Sequence, residues 1–158
     1  MYLTQQTDYA LRVLMYLAIN KGRQVNIGLI ARAYGISHSN LMKVVTKLTK
    51  TGCVCSTRGK NGGLVLGKDP SEIRIGQIVK SLEDVRMVSC IDPGGRHCII
   101  YGSCRLGGIF EAALESFFAK LDEYTLADLT APNRGLELLD ETSEIFKRMR
   151  EAESARKG

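Results

Sequence analysis

Residues 37–66 read SHSNLMKVVTKLTKTGCVCSTRGKNGGLVL, and the spacing of apolar residues changes partway along them. After a candidate Ser37 cap, apolar residues recur at helical spacing, at Leu41, Val44, Val45 and Leu48. From Cys53 the period falls to two, which predicts strands at 53–58 and 64–66. The intervening 59–63 contain Asn-Gly, a dipeptide that favours a tight hairpin turn. The stretch therefore predicts a helix that ends near Thr51 and leads directly into a β-hairpin.

Further helices are predicted on both sides of this stretch. Apolar spacing indicates helices at 3–20 and 27–34, which Gly22 and Gly35 end. Later helices are predicted near 76–82, from about 104 to 123, and at 143–156. Three helices followed by a basic hairpin are the layout of a winged helix-turn-helix. The predicted fold class is mainly α with a small β-hairpin: a winged helix-turn-helix plus a long dimerisation helix.

The long helix that begins near 104 is expected to form a dimer. Its apolar stripe advances in steps of three and four residues, at Leu106, Phe110, Ala113, Phe117, Leu121 and Tyr124. Such spacing suits packing against another helix. A small domain with an exposed stripe of this kind needs a partner, so we expect a homodimer.

Charge is distributed unevenly along the chain. Residues 1–80 carry 12 Lys and Arg against 3 Asp and Glu, whereas 81–158 carry 10 against 14. A basic N-terminal half is what the neutralisation of nucleic-acid phosphates requires. No apolar run is long enough to span a bilayer, and the first residues lack the features of a signal peptide. We therefore expect a cytoplasmic protein with no membrane partner.

Two groups of residues are predicted to contact double-stranded DNA. The second helix of a helix-turn-helix enters the major groove with its N-terminal residues first, and the hairpin that follows lies beside the duplex. Polar and basic side chains at these places read bases or neutralise phosphates. The alternative is a solvated helix surface and hairpin. The predicted contact residues are Ser37, His38, Ser39, Asn40, Lys43, Lys47, Arg58, Lys60 and Asn61.

Three of the five cysteines lie in one Gly- and Pro-containing segment. Cys90, Cys98 and Cys104 are spaced C-x7-C-x5-C, without the close pairs typical of zinc fingers or thioredoxin-like sites. Three separated thiolates suit an object larger than one ion, such as an iron–sulfur cluster. A set of redox-switch thiols is the alternative. Cys53 and Cys55 fall on one face of the first strand and are expected to be buried rather than ligands.

Several motifs together resemble one family. They are TDYALR at 7–12, RGKNGG at 58–63, IRIG at 73–76, YTLADL at 124–129 and the three cysteines. This combination resembles the iron–sulfur winged-helix regulators, a family with nitric-oxide-sensing (NsrR-type) and cluster-assembly (IscR-type) members, over about residues 1–130. The resemblance implies a dimer, a palindromic promoter site and a cluster held by Cys90, Cys98 and Cys104. It implies a 4Fe–4S cluster, with 2Fe–2S as the alternative.

The fourth ligand distinguishes branches of that family. IscR-type members carry a histidine three residues after the third cysteine, where this chain has Gly107. NsrR-type members have an acidic residue in the first helix, supplied by the other subunit, and Asp8 matches it. By its position alone, Asp8 would be a first-turn acid paired with Arg12. His97 is a competing ligand.

The sequence thus predicts a regulator, acting as a repressor, that senses nitric oxide. The alternatives are an iron-supply or redox sensor of the same family, or a clusterless thiol switch. An enzyme is not expected, because no Ser/His/Asp set, phosphate loop or acid pair is present. We expect a DNA-binding domain at 1–84, a cluster-binding loop at 85–104, a dimerisation helix and short following helix at 105–131, and a tail at 132–158.

Overall fold

A computed structural model describes residues 3–57, 59, 62–83, 100, 104–132 and 135–155. Its helices are α1 (Gln5–Ile19), α2 (Ile27–Tyr34), α3 (His38–Lys50), α4 (Ile75–Leu82), α5 (Leu106–Asp122), α6 (Leu126–Leu129) and α7 (Glu144–Ala155). Two strands, β1 (Val54–Thr57) and β2 (Gly63–Leu66), and short 3-10 turns at Pro70–Glu72 and Leu136–Leu138 complete it. The predicted fold class, mainly helical with a two-stranded hairpin, is confirmed.

The core forms where α1 packs against α3. The inward face of α1 is fully buried at Ala10, Val13 and Leu14. The predicted stripe of α3 meets it and is equally buried, at Leu41, Val44, Val45 and Leu48. Since both stripes point inward, the polar residues of α3 are left on the outside of the molecule.

Caps fix the turn between α2 and α3. Asn26 caps α2, with its side-chain oxygen accepting a hydrogen bond from the Gly28 backbone N–H at 2.7 Å. Gly35 ends α2 in the left-handed region, at φ 62°, where a glycine carries no Cβ penalty. Ser37 then accepts a hydrogen bond from the Asn40 N–H and caps α3. The direction of α3 is therefore set within three residues.

The hairpin is anchored to the helical core at both strands. β1 and β2 pair antiparallel, from Val54 opposite Leu66 to Thr57 opposite Gly63. Val25, just before α2, exchanges two backbone hydrogen bonds with Leu64, each 2.9 Å long. This bridge, which the sequence pattern did not reveal, holds the hairpin beside α3.

The two cysteines near β1 do not share a face. Cys53 is buried as expected, but Cys55 is exposed. The strand begins one residue later than predicted, and Val54 takes the inward position, with 1% of its surface exposed. The expectation that both thiols are buried is therefore wrong for Cys55.

Helix α5 packs on α4 through a close approach at Gly76. A Cβ at Gly76 would lie 2.5 Å from the Phe118 carbonyl oxygen and from Asp122 Oδ1. Asp122 Oδ1 also accepts a hydrogen bond from the Gln77 N–H at 2.8 Å, and the Lys80 ammonium lies over the Phe118 ring. Phe118, absent from the predicted stripe, is the buried residue of α5.

The predicted stripe of α5 is divided between two environments. Phe117 and Leu121 pack against the core of the same chain. Leu106 and Tyr124, each with 47% of its surface exposed, remain on the outside. Ile109, which was not part of the predicted stripe, is also outside, with 63% of its surface exposed. The most exposed apolar surface of α5 therefore lies mainly at its N-terminal half, while Phe117 and Leu121 are partly covered by the same chain.

The C-terminal segment, residues 135–155, docks on the C-terminal end of α1. The Asn20 side chain is 3% exposed; it donates to the Leu139 carbonyl at 2.8 Å and accepts from the Glu141 N–H at 3.0 Å. The Tyr16 hydroxyl donates to Glu141 Oε1 at 3.1 Å. The helix predicted at 143–156 is present as α7, and these contacts place it beside the helical core.

None of the helices in the described residues is long and apolar enough to cross a membrane.

Replacing Gly76 tests the contact between α4 and α5. We expect Gly76→Ala to lower the free energy of unfolding by about 1–3 kcal/mol, because the new methyl group meets a backbone carbonyl that cannot turn away. Urea unfolding followed by circular dichroism measures the change. Gly108→Ala is the matched control: its methyl group enters open space, so stability should be unchanged or rise by about 0.5–1 kcal/mol. Equal effects in the two variants would contradict the packing described here.

Candidate nucleic-acid interface and cluster site

The outer face of α3 is polar and basic. His38, Ser39, Asn40 and Lys43 are all exposed, while the opposite face of the helix is buried. Ser37 is also exposed, and its hydroxyl lies 3.3 Å from the Ser39 hydroxyl. No acidic residue occurs in α3, so its outer surface carries only positive charge. The structure thus brings the predicted α3 residues together on one surface.

Lys47 occupies a flank of this surface and is held by α1. Its ammonium donates a hydrogen bond to Gln6 Oε1, and Gln6 lies in the first turn of α1. A lysine already ordered by a neutral partner keeps its full charge and loses less side-chain entropy when it meets a phosphate. Lys47 is therefore oriented by the first turn of α1.

A cleft of about 580 Å³ separates α3 from the hairpin. Its α3 wall includes Met42, Thr46 and Lys50, all exposed, and β1 supplies Ser56 and Thr57. Sequence reasoning did not select Met42, Thr46 or Lys50. The helical spacing that predicts an exposed Lys43 also predicts that these three residues are exposed, so they could have been selected from the sequence.

The predicted hairpin residues lie outside the described part of the chain. Arg58, Lys60 and Asn61 fall between Thr57 and Gly62, and only Gly59 is described there, with φ 115°. A φ in this region favours glycine over other residues. The described ends of both strands nevertheless fix where the hairpin leaves the core, on the α3 side.

Asp8 lies on the exposed side of α1. Its carboxylate accepts a hydrogen bond from Arg12 Nε at 2.9 Å, and 51% of its side chain is exposed. The Arg12 guanidinium in turn lies 5.4 Å from the centre of the Tyr34 ring on α2. Burial raises the pKa of Tyr34 to about 12, with Arg12 lowering it and Asp8 raising it. Asp8, Arg12 and Tyr34 therefore link α1 to α2.

Cys104 lies just before α5 and is exposed, with a free thiol. The Leu106 backbone N–H, at the start of α5, donates to the Cys104 sulfur at 3.4 Å. This contact orients the thiol at the start of α5, and cysteine binds metal as its thiolate. Cys90, Cys98 and His97 lie outside the described residues, so the complete predicted ligand set is not brought together here.

The segment that carries Cys90 and Cys98 leaves the described structure at Glu83. Glu83 Oε1 accepts hydrogen bonds from the Thr4 N–H at 2.7 Å and the Thr4 hydroxyl at 2.9 Å. Burial raises the pKa of Glu83, but hydrogen bonds from Thr7 and Thr4 outweigh it and the net shift is downward. Glu83 therefore fixes the start of this segment to the N-terminus of α1, the helix that carries Asp8.

The donor types present suit iron. Cys104 offers a thiolate and Asp8 a carboxylate, both exposed and both known ligand types for iron. Within 3–57, 62–83, 104–132 and 135–155, no three His, Cys, Asp or Glu residues cluster closely enough to hold a metal ion. A cluster at this place would therefore require ligands from the segment that follows Glu83.

Comparison with solved structures shows three similar proteins at 26% sequence identity and a TM-score of 0.64 each. CymR (YrzC), the global cysteine regulator of B. subtilis, covers 83% of this chain and 97% of its own length. T. potens IscR covers 82% of this chain and 85% of its own length. A protein described as a putative transcriptional regulator from Listeria innocua covers 86% of this chain and 92% of its own length.

The family comparison agrees with the fold. A family model described as Rrf2, iron-dependent transcriptional regulator, matches residues 3–132. The matched residues include the helix-turn-helix, the hairpin, α4, α5 and α6, and they end before the C-terminal segment. Because this match spans most of the chain, the protein belongs to the Rrf2 family and is a DNA-binding transcription regulator with a winged-helix fold.

Proposed function

We propose that the protein is a homodimeric repressor that binds palindromic promoter DNA and senses nitric oxide through an iron–sulfur cluster. The observation that carries the sensing part is the exposed Cys104 thiol, which accepts an amide hydrogen bond at the start of α5. This thiol lies at one end of the segment whose other end Glu83 fixes to α1. The resemblance of Asp8 and of the segment YTLADL at 124–129 to NsrR-type regulators supports the choice of signal.

For DNA, the proposal assigns base and phosphate contacts to the outer surface of α3 and to the hairpin. Small polar side chains at the start of α3 suit base edges, and the lysines suit phosphates. Arg58 suits a narrow minor groove, where negative potential is enhanced. The proposed residues are Ser37, His38, Ser39, Asn40, Lys43, Lys47, Arg58, Lys60 and Asn61, to which the structure adds Lys50 and Thr46 as exposed neighbours.

For the cluster, the proposal assigns Cys90, Cys98 and Cys104 as thiolate ligands and Asp8 as the fourth ligand. Bound there, a 4Fe–4S cluster would supply iron that reacts with nitric oxide. A carboxylate is a harder ligand than a thiolate and a weaker match for cluster iron, so Asp8 is the most easily displaced. His97 is the competing fourth ligand.

The described residues give Asp8 a route to the DNA-binding helices. Asp8 holds Arg12, which lies against Tyr34 at the C-terminal end of α2. α2 leads through the Gly35 turn into α3. A change in what Asp8 binds would therefore alter the Arg12 contact and bias the position of α2, which is the coupling that an allosteric regulator requires.

A second candidate function is a thiol-based or iron-supply sensor. It is favoured by the exposed free thiol of Cys104, which is accessible to oxidants, and by the similarity to a protein described as a global cysteine regulator. In this alternative, DNA binding would respond to thiol oxidation or to iron, and nitric oxide would have no direct effect.

The proposed dimer uses the N-terminal half of α5. Leu106 and Ile109 are large apolar residues that remain exposed in the single chain, and a second copy would bury them. Two copies of α3 would then face two half-sites of a palindrome.

Salt dependence tests the DNA surface. We expect Lys43→Ala and Lys50→Ala each to weaken binding across all sequences and to reduce the slope of log affinity against log salt by about 1 per lost contact. Arg58→Ala should cost about 1–3 kcal/mol per half-site if it reads a base. Fluorescence anisotropy over a salt series measures both the affinity for DNA and its dependence on salt. The control is Lys120→Ala on α5, where Lys120 is paired with Glu123 at 2.7 Å and should not affect binding. Equal slopes in all four variants would place the interface elsewhere.

Substitution of the cysteines tests the cluster. Protein purified without oxygen should be brown, and Cys90→Ala, Cys98→Ala and Cys104→Ala should each be colourless because a thiolate ligand is hard to replace. Cys53→Ala and Cys55→Ala are the controls and should keep the visible absorbance and iron content. Colourless wild-type protein whose DNA binding responds to thiol oxidation would support the thiol-switch alternative.

Asp8→Ala tests the fourth ligand and the signal. An exposed i,i+4 ion pair contributes about 0.3–0.5 kcal/mol, so the variant should fold normally. It should retain a cluster with an altered spectrum and a changed reaction with nitric oxide. Anaerobic nitric oxide should release wild-type protein from DNA. If His97→Ala changes the spectrum and Asp8→Ala does not, His97 is the ligand; if only iron chelation releases DNA, the protein senses iron supply.

A charge on the exposed half of α5 tests the dimer. Ile109→Glu should yield a folded monomer in sedimentation equilibrium, because burying an unpaired carboxylate at an interface is unfavourable, whereas this largely exposed residue contributes little to the core of the single chain. Glu111→Gln, a change on the same helix, is the control. A dimer that persists in Ile109→Glu would show that the subunits meet elsewhere.

A further inference from the structure

A cavity of about 330 Å³ lies between α2 and the C-terminal segment, far along the chain from the proposed cluster ligands. We call it the α2–α7 cavity. Its volume falls at the lower end of the range of small-molecule sites, roughly 300–1,000 Å³. One wall belongs to the helix-turn-helix, and the other belongs to residues 135–155, which lie beyond the part of the chain that matches the Rrf2 family model.

The body of the α2–α7 cavity is apolar. Leu29 and Ala33 of α2 face Leu138, Leu139 and Phe146 across it. Leu138 is 44% exposed, which is unusual for a leucine that has a neighbouring apolar surface available. Unfilled apolar space of this size lacks the contacts that a close-packed interior provides. An apolar group of a ligand would supply them.

Two cations line the same cavity. Arg32 extends from α2 and Arg150 from α7, and both are exposed. Among the described residues, the ion pairs formed by Asp8, Asp69, Glu123 and Glu144 leave both of these arginines without a carboxylate partner. Two arginines converging on one cavity favour an anion, and the planar guanidinium group matches a carboxylate.

A third polar group adds to this pattern. Tyr34 forms part of the cavity wall, and its hydroxyl oxygen is buried without a hydrogen-bond partner in the described part of the chain. Buried polar groups in proteins are nearly always hydrogen-bonded, so an orphan at a cavity wall indicates a missing partner. An acceptor on a bound molecule would provide it.

We propose that the α2–α7 cavity binds a small amphipathic carboxylate, a molecule with an apolar chain or ring and one carboxylate group. The apolar part would lie between Leu29 and Ala33 on one wall and Phe146 on the other. The carboxylate would lie towards Arg32 and Arg150. A sulfate or phosphate ion alone would leave the apolar wall unfilled, and an uncharged hydrocarbon would leave the two arginines unpaired.

Such a ligand would join the C-terminal segment to the DNA-binding domain. Because it touches α2 on one side and residues 135–155 on the other, it binds only when the segment is docked, and it therefore stabilises the docked arrangement. The segment already reaches α1 through Asn20 and Tyr16, so the docked arrangement exists without the ligand. None of the proposed cluster ligands lines this cavity.

Octanoate is a suitable probe, and the full-length chain is the protein to use. Isothermal titration calorimetry should show saturable binding of one octanoate per chain, and thermal unfolding should show a higher melting temperature with the ligand. Acetate, which has the charge without the chain, and octan-1-ol, which has the chain without the charge, should each bind at least about tenfold more weakly. Absence of saturable octanoate binding by the wild-type protein would overturn the proposal.

Variants locate the binding. Arg150→Gln and Arg32→Gln should each weaken octanoate binding at least about tenfold, which corresponds to about 1.4 kcal/mol. Leu138→Trp should fill the cavity and abolish binding; its exposed position makes the larger side chain tolerable, and circular dichroism verifies the fold. Arg148→Gln, on the same helix but outside the cavity lining, is the control and should bind like wild type. If Arg148→Gln and Arg150→Gln lose affinity equally, or if Leu138→Trp binds like wild type, octanoate binds elsewhere and the assignment is wrong.

Discussion

The inner face of α1 is buried by elements from most of the described chain. Ala10, Val13 and Leu14 are fully enclosed, and α1 contacts α2, α3, α4, α6 and β2. The C-terminal segment contacts Asn20, the residue that follows α1. Nearly every element is therefore positioned by reference to α1, and removing its apolar face would leave the helix-turn-helix without a surface on which to assemble.

Polar residues at the start of α1 contact several other parts of the molecule. Thr4 binds Glu83 at the start of the cysteine segment, Gln6 binds Lys47 of α3, and Asp8 pairs with Arg12. One helix turn thus connects the segment proposed to hold the cluster with the helix proposed to read DNA. A rigid helix whose core side is fully packed transmits a small displacement at one polar contact to the others, because packed interiors deform little.

The elements of the helix-turn-helix were predictable because each carries its own local signal. The range of α2 was predicted from apolar spacing, Asn26 and Gly35, and the exposure of Ser39 and Lys43 followed from the stripe of α3.

Contacts between distant residues leave no periodic signal in the sequence. The burial of Phe118 depends on the absence of a side chain at Gly76, and the docking of residues 135–155 depends on Asn20. The exposure of Cys55 could not be obtained by counting alternate residues, because Val54 is the buried residue of β1 and the residues that follow it in the strand are all exposed. For the candidate site, the exposed polar residues of α3 could be selected from the sequence, whereas their contacts with DNA and the three-cysteine ligand set remain predictions.

Positive charge occurs in two different surroundings, on the outer surface of α3 and at the α2–α7 cavity. The helix α3 contains only basic charged residues, so a duplex approaching it meets no repulsion. Two acidic residues are instead paired with lysines elsewhere, Glu123 just after α5 and Glu144 at the start of α7. Arg32 and Arg150 stand apart from these pairs at the α2–α7 cavity, on a side of the helix-turn-helix that α3 does not occupy. Positive charge on α3 is arranged as an open surface that suits a polyanion, whereas at the α2–α7 cavity it stands beside an apolar enclosure. That difference in surroundings, rather than the charge itself, separates a surface suited to DNA from a site suited to a small carboxylate.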